Sequence, residues 1–244
     1  MKGRQVCILV GGLAGVLAMA CLAGQSQRVT TPISDVNPAN FVNAVDNKFF
    51  PLPPGTTFFY EGAKDGIPTS DEFFVTHDTK RVLRVNCTVV HDRLFENGVL
   101  AEDTMDFFAQ DTAGNVWYFG EDTKELDANG NVISTEGTWE AGVNGAQPGI
   151  IMEANPRVGD SYQQEFAAGV AEDMARVLSL NKTATVSYGS FDDLLLTREW
   201  TPLEKGAVEH KYYAAGVGFI LGLSVKGGNE RTELVRITSD RSGH

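Results

Sequence analysis

The sequence has few cysteines, which limits the crosslinks that its fold can contain. Three occur in 244 residues, at Cys7, Cys21 and Cys87. If Cys7 leaves with an export signal and Cys21 is modified, Cys87 is alone and the folded domain has no internal disulfide. Because Asn86 and Thr88 flank Cys87 in a predicted strand, we expect a small packed side chain there and not a catalytic thiol.

Basic residues are also scarce. The whole chain carries 20 Lys and Arg against 32 Asp and Glu. Removal of a signal peptide would take away Lys2 and Arg4 and leave 18 basic residues against 32 acidic ones, a net charge of about −14. A field of that sign repels nucleic acid and anionic membranes. We therefore expect no nucleic-acid partner, and contact with a membrane only through an N-terminal lipid.

The apolar run at the N-terminus is too short for a comfortable transmembrane helix. Val6–Met19 falls below the roughly 20 residues that such a helix needs. Two basic residues precede it and the small residues Ala18-Met19-Ala20 follow, so residues 1–20 are typical of a signal peptide. Cys21 comes next, which resembles the lipobox of bacterial lipoproteins, except that Ala18 stands where that motif prefers leucine. The sequence predicts export with Cys21 lipidated on the periplasmic or outer face; secretion without a lipid is the alternative.

The rest of the chain divides into a tether, one domain and a tail. Residues 21–48 are the predicted tether, because they begin with a polar stretch that is rich in Ser, Thr and Pro and lacks periodicity. Within it, Pro38–Asn47 has the spacing of a short helix, and the prolines at 51–54 stop that helix. A single β domain is expected over residues 49–238, followed by a flexible tail over 239–244.

The dipeptide Asn97-Gly98 is the clearest structural signal in the chain. A two-residue type I′ turn needs positive φ at both central positions, and Asn-Gly adopts that conformation at little cost. This turn joins two predicted strands, Val85–Glu96 and Val99–Ala109, and Asn115–Glu121 follows as a third antiparallel strand. The hairpin is expected to organise the domain around it.

The register of this hairpin places two carboxylates side by side. If Glu96 faces Val99 across the turn, Asp92 faces Asp103. The same face carries Val90, Leu94, Ala101, Met105 and Phe107. Like charges directly across a ladder destabilise a sheet, and burial raises the cost. Relief could come from solvent near the hairpin tip, a shared proton, a neighbouring base or a metal, so Asp92 and Asp103 form a candidate metal pair with calcium as the possible cofactor.

The strand pattern continues to the end of the chain. About a dozen segments alternate apolar and polar residues between Gly-, Asn- and Pro-containing turns, and almost none has helical periodicity. Since open twisted sheets rarely exceed about ten strands, a sheet of this length must curl, split or close. The predicted fold class is all-β: an antiparallel curled sheet, a half-barrel or barrel, or a two-layer sandwich.

Three stretches carry a family resemblance. The run DTAGNVWYFGEDT at 111–123, with GTWEAGVNGAQPGIIM at 137–152 and QEFAAGVAEDMA at 164–175, resembles an uncharacterised family of exported bacterial β-rich proteins. That resemblance implies no activity. The final strands, YYAAGVGFILGLSVKGGNERTELVRI, are loosely similar to the closing strands of half-barrel periplasmic lipoproteins that bind lipids or other lipoproteins.

Several short patterns suggest catalysis but lack the necessary context. Gly159-Asp160-Ser161 has no strand–turn–helix around it, as a nucleophile motif requires. The four histidines show no metal-binding spacing. Asp127, Asn129 and Asn131 begin a calcium loop, but Val132 stands where that loop needs glycine. The sequence therefore predicts no catalytic residue.

A long Gly- and Pro-rich segment over 137–159 is the candidate ligand-binding loop. Loops of this length without secondary structure are enriched in function. Together with the preceding strand, it supplies the candidate ligand-binding residues Trp139, Glu140, Ile150, Met152, Trp117 and Phe119. We expect Trp117 and Phe119 to share a buried face that Trp139 caps. These side chains could line a ligand mouth or plug the end of a barrel.

These observations favour an exported cell-envelope β domain that binds an apolar or amphipathic ligand, or a protein partner, without catalysis. One alternative is a hydrolase that uses carboxylates such as Asp92, Asp103, Glu140 or Glu165. Another is a calcium-stabilised structural protein of the envelope. An apolar cavity would support ligand binding, whereas two carboxylates about 5 to 10 Å apart in an open cleft would support acid–base hydrolysis.

Overall fold

The computed structural model describes residues 36–240, and most of them lie in β strands. The helical structure in this range is one 3-10 turn, Pro38–Asn40. No helix within 36–240 is long and apolar enough to cross a membrane. The predicted all-β fold class is confirmed. The signal peptide, Cys21, the first part of the tether and residues 241–244 lie outside the described residues.

The strands are short at the N-terminus and long in the two central meanders. In chain order they are β1 (Phe41–Val42), β2 (Asp46–Asn47), β3 (Phe50–Pro51), β4 (Thr56–Lys64), β5 (Ile67–Val82), β6 (Val85–Glu96), β7 (Val99–Asp111), β8 (Val116–Leu126), β9 (Val132–Ser134), β10 (Trp139–Glu140), β11 (Gln147–Met152), β12 (Ser161–Gln163), β13 (Glu165–Phe166), β14 (Met174–Val186), β15 (Gly189–Trp200), β16 (Val208–Ala214), β17 (Gly218–Lys226) and β18 (Glu230–Ser239).

One antiparallel sheet runs through almost all of these strands and nearly closes on itself. Strands β4 to β8 form one meander, β14 to β18 form another, and β18 pairs with β4 to join them. On the far side, β12 pairs with β14 and β13 pairs with β11. Because only Gln164 separates β12 from β13, the path returns to its start. The result is a barrel-like sheet with a filled interior.

The two ends of the barrel differ in the side chains that they bury. We call the end with the turns at 83–84, 112–115 and 215–217 the upper end, and the end with the turns at 65–66, 97–98 and 227–229 the lower end. Inward-facing residues near the upper end are largely apolar and form aromatic pairs, including Phe50 with Phe108 at 5.3 Å between ring centroids. Lower in the barrel, many inward-facing residues are acidic. The interior is therefore amphipathic.

The predicted turn at Asn97-Gly98 is present, but the predicted register beyond it is wrong. Asn97 and Gly98 have φ of 50° and 76°, and Glu96 faces Val99. A β-bulge follows, since Phe95 faces Leu100 while Leu94 faces Glu102. One extra residue moves every later side chain of β7 to the other face.

The bulge separates the two carboxylates that were predicted to face each other. Asp92 faces Thr104 in the interior, whereas Asp103 faces Arg93 on the outer surface. The Nε2 atom of His91 lies 3.2 Å from Oδ2 of Asp103. The observed register gives Asp103 basic neighbours in place of a like charge, which is a physical reason for the bulge.

Two segments, one predicted as a short helix and one as a loop, have more strand structure than expected. In place of a helix over Pro38–Asn47, a single 3-10 turn is followed by Phe41 in an extended conformation paired with Asp111. The pairing brings the Phe41 ring against Phe119, at 5.5 Å between centroids, so tertiary packing overrides the helical spacing. The segment 137–159 contains β10 and β11, both paired with β8.

Candidate functional site

The inner face of β5 to β8 carries a cluster of carboxyl groups. Alternation places Asp71 on the same face as Phe73 and Val75, and the bulged register does the same for the acidic residues of β7. We call this set the acidic wall: Asp71, Asp92, Glu102, Asp106 and Glu121, each at most 8% exposed. Such burial is costly for ionised carboxylates unless protons, donors or cations compensate.

Hydroxyl groups tie part of the acidic wall together. The Tyr118 hydroxyl lies 2.6 Å from Oδ1 of Asp106 and 3.1 Å from Oε2 of Glu121. One hydroxyl proton cannot serve both acceptors, so the arrangement needs a proton on one of the carboxyl groups. Thr104 donates to Oε1 of Glu102 at 3.1 Å. The wall is thus a hydrogen-bonded network that also requires acid protons.

Three members of the acidic wall, Asp71, Asp106 and Glu121, are expected to hold their protons at neutral pH. Burial raises the pKa of Asp71, and the neighbouring Asp92 carboxyl raises it further. Burial is also the largest cause of the raised pKa values of Asp106 and Glu121, followed in each case by the charge of a neighbouring carboxyl group. At these positions a neutral carboxylic acid is the favoured form.

The opposite wall contains a buried ion pair. Nζ of Lys211 lies 2.9 Å from Oε2 of Glu199 and 3.8 Å from Oε2 of Glu209. Glu199 also accepts hydrogen bonds from Thr197 at 2.7 Å and Tyr213 at 3.0 Å. Burial lowers the pKa of Lys211, but the two carboxylates outweigh burial, so the pKa is raised and Lys211 stays charged.

Glu165 and Trp139 lie between the two walls. Nε1 of Trp139 donates to Oε2 of Glu165 at 3.0 Å, and the Trp139 ring packs edge-on against Tyr118 at 5.4 Å between centroids. Burial, and then the charge of Asp173, raise the pKa of Glu165. Trp139 therefore packs inside the barrel as part of its polar network.

An apolar cleft opens at the upper end of the barrel. We call it the aromatic cleft, and its lining residues are Phe50, Pro51, Leu52, Phe58, Tyr60, Phe73, Val217, Gly218 and Phe219. It encloses about 250 Å³, including the part open to solvent. The Tyr60 hydroxyl donates to the Phe219 carbonyl oxygen at 3.2 Å. The cleft thus combines aromatic walls with very few polar groups.

A second cleft, of opposite character, shares one residue with the first. This charged cleft encloses about 260 Å³ on the same basis and is lined by Glu209, Lys211, Phe219, Gly222, Leu223, Ser224, Glu230 and Thr232. Burial, and then the charge of Glu209, raise the pKa of Glu230 to about 7. Phe219 lines both clefts. A Cβ on Gly222 would lie 3.0 Å from Cζ of Phe219, so this glycine makes room for the ring between them.

The structure does not bring the predicted ligand-binding residues into one site. Trp117 and Phe119 lie on the outer face of β8 and contact Phe41, with centroids at 6.0 Å and 5.5 Å. Trp139 does not cap them, because it lies on the inner side against Tyr118. Glu140 is half-exposed and its Oε2 lies 2.7 Å from Nζ of Lys80. On β11, Ile150 is half-buried and Met152 is buried, and both face β8 residues across the ladder.

The candidate metal pair is also divided between two faces. Asp92 is buried in the acidic wall and Asp103 lies outside beside His91. Within residues 36–240, no group of three or more His, Cys, Asp or Glu side chains is arranged to hold a metal ion. The carboxyls suggested for a hydrolase are dispersed in the same way: Asp92 and Glu165 are inside, and Asp103 and Glu140 are outside.

Sequence reasoning missed most of the acidic wall and Lys211. A usable signal existed for Asp71, because it alternates on one face of β5 with the buried apolar residues Phe73 and Val75. Lys211 alternates in the same way with Tyr213. The sequence signals for Asp106 and Glu121 were weaker, since β-bulges change which face of the sheet these side chains occupy.

The fold and the clefts together define a barrel-like β domain with an amphipathic interior. No protein-family model matches the chain, and a search of curated proteins finds no match. Two solved structures are similar over 79% of this chain and 100% of their own. One is provisionally described as an exported protein of Bacteroides fragilis with a YmcC-like fold (TM-score 0.46, 13% identity), the other as a lipoprotein of Parabacteroides distasonis (TM-score 0.41, 12% identity). Similarities of this size carry no argument about function.

Proposed function

We propose that the protein is an exported, non-catalytic domain of the cell envelope that binds a small amphipathic ligand across the aromatic and charged clefts. The observation that carries this proposal is that the two clefts, one apolar and one charged, meet at Phe219. Small-molecule sites combine apolar walls with a few orienting polar groups. Displacement of the Phe219 ring would join the two clefts into one site that has both.

The arrangement fits a ligand with two chemically different ends. An apolar body would replace solvent against Phe58, Phe73 and Leu52 in the aromatic cleft. A polar end would meet buried polar groups that border these walls, either Asp71 beside Tyr60 or Lys211 and Thr232 beyond Phe219. Because burial of apolar area contributes about 25 cal/mol per Å², the body supplies most of the affinity and the polar end sets the orientation.

Blocking the aromatic cleft should weaken binding of a neutral amphiphile. Val217 is half-buried at this cleft, so Val217→Trp would fill it with an indole ring. With 1-hexanol as the probe, we expect this variant to bind at least about tenfold more weakly than wild type by calorimetric titration, a difference of about 1.4 kcal/mol.

The matched control is Val225→Trp, since Val225 lies on β17, the strand that follows Val217, is exposed, and lines neither cleft. It should bind 1-hexanol as wild type does. Equal binding by Val217→Trp, or no binding of 1-hexanol to any of the three proteins, would remove the support for a ligand site here.

Membrane attachment through Cys21 belongs to the same proposal. Its support is the sequence alone, because Cys21 precedes the described residues. Cells fed a fatty-acid analogue should label wild type and not Cys21→Ser. Equal labelling of the two proteins would show that the lipid is elsewhere, and labelling of neither would favour secretion without an anchor.

A further inference from the structure

Two acidic residues lie directly beside the aromatic cleft. Asp71 on β5 faces Tyr60 on β4, and Asp92 on β6 faces Phe73 on β5. All four side chains are buried on the inner face of the sheet. Directly opposed residues on one face have Cβ atoms about 4.5–5.5 Å apart. Since Tyr60 and Phe73 both line the aromatic cleft, Asp71 and Asp92 lie next to two of its lining residues.

Asp71 has no N–H or hydroxyl donor for either of its oxygens. The residue is 2% exposed, and within residues 36–240 no N–H or hydroxyl group hydrogen-bonds to Oδ1 or Oδ2. The Asp92 carboxyl is within hydrogen-bonding range of Asp71. Two ionised carboxylates are both acceptors, so only a proton on one of them can join the pair. A buried acceptor without a donor costs about 1–3 kcal/mol, and more when it is charged.

We propose that the Asp71–Asp92 pair recognises the polar end of the ligand, and that this end is a primary ammonium group carried on an apolar or aromatic body. The inference rests on the proposed function and specifies the ligand class. An ammonium group has three N–H donors, enough for both carboxyl groups, and its charge compensates the carboxylate that it meets. A hydroxyl group offers one donor and no charge, and a carboxylate would be repelled.

Binding then exchanges one positive charge for another. In the empty protein a carboxyl proton joins Asp71 to Asp92. When the ammonium group enters, that O–H bond breaks, the proton goes to solvent, and N–H donors take its place. The net charge of the pair is the same before and after the exchange, so the ammonium group enters without adding charge to the interior.

The surroundings of the pair predict how binding varies with pH. The groups that face Asp71 are Tyr60 from β4, Asp92 from β6, and Glu102 and Asp106 from β7. None of these is a cation, and their combined effect favours the protonated pair. Protons therefore compete with the ammonium group at low pH, and affinity should rise as pH increases through the titration of the pair.

The test compares three probes of equal chain length on the full mature chain: hexylammonium, 1-hexanol and hexanoate. At pH 8 we expect hexylammonium to bind at least about tenfold more tightly than 1-hexanol, because a hydrogen bond to a charged group contributes roughly 1.5–3 kcal/mol. Hexanoate should bind most weakly. Titrations in buffers of different ionisation enthalpy should show release of up to one proton per hexylammonium and none per 1-hexanol.

Variants separate this inference from the proposed function. Asp71→Asn and Asp92→Asn should each lose the preference for hexylammonium while retaining 1-hexanol binding. Glu61→Gln, an exposed carboxyl on β4, is the matched control and should behave as wild type. If 1-hexanol binds as tightly as hexylammonium, or if the two probes release the same number of protons, the ammonium inference is overturned and the ligand site stands. If no probe binds, both are overturned.

Discussion

Replacement of Lys211 by methionine is expected to lower the free energy of unfolding by about 3–5 kcal/mol, as removal of one partner of a buried ion pair does. The Lys211 side chain is 6% exposed, and its Nζ is 2.9 Å from Oε2 of Glu199. Methionine keeps the apolar stem but not the charge. Glu199 would then be left with Thr197 and Tyr213 as hydrogen-bond donors, which cannot neutralise it. Urea unfolding of the mature chain measures the change.

Two further variants identify the cause of that loss. Lys226→Met removes the charge of an exposed lysine on β17 and should change stability by no more than about 0.5 kcal/mol. Lys211→Met combined with Glu199→Gln removes both charges of the pair and should recover much of the loss. A cost below about 1 kcal/mol for Lys211→Met alone would mean that the pair is solvated, contrary to its burial.

The protein should be most stable at mildly acidic pH and lose several kcal/mol of stability between about pH 5 and pH 8. Carboxyl groups in unfolded chains have pKa values near 4. Burial raises the pKa of Asp173 to about 7, and the pKa values of Asp71, Asp106 and Glu121 are raised as well. These groups hold a proton in the folded state at pH values where the unfolded chain has lost it.

The direction of the effect follows from this difference in bound protons. A raised folded pKa contributes stability in full below about pH 4, and the contribution is lost as pH rises through the folded value. Each such group contributes a slope of up to about 1.4 kcal/mol per pH unit. Thermal unfolding across pH 4.5–8.5 measures the total slope.

Single substitutions in the acidic wall should reduce that slope. Asp71→Asn removes one buried titrating group, so its stability should fall less steeply with pH than that of wild type. Glu61→Gln, which is exposed, should leave the slope unchanged. A stability that rises from pH 5 to pH 8 would show that the carboxyl groups of the wall are ionised in the folded protein.

The fold class followed from features that act over a few residues. The Asn97-Gly98 turn, the alternation of β5 and the glycine-containing turns of the last meander are local features. The structure has the expected turns and strands at these places. The register of β6 against β7 did not follow, because the bulge beside Leu100 depends on which face buries its side chains better after all strands have assembled. Because the predicted register was wrong by one residue, it placed Asp103 on the inner face beside Asp92, whereas Asp103 lies on the outer surface.

The candidate site was less accessible to sequence reasoning than the fold. Tyr60, Phe73 and Phe219 line one cleft although they come from three strands and are separated by as many as 159 positions. Nothing in a single strand indicates that β18 pairs with β4 and thereby brings the two meanders together. Trp139 was noted for its neighbours in the chain, whereas its position is set by Glu165 from another strand.

The most direct test of ligand binding is native mass spectrometry of the protein purified from its own cell envelope. If the interior binds a small amphipathic molecule, wild type and Val225→Trp should carry an additional mass that is released on denaturation, and Val217→Trp should carry much less of it. A primary amine in the released molecule would also support recognition by Asp71 and Asp92. A wild-type protein with the mass of the mature chain alone, or an additional mass that Val217→Trp retains in full, would contradict the account.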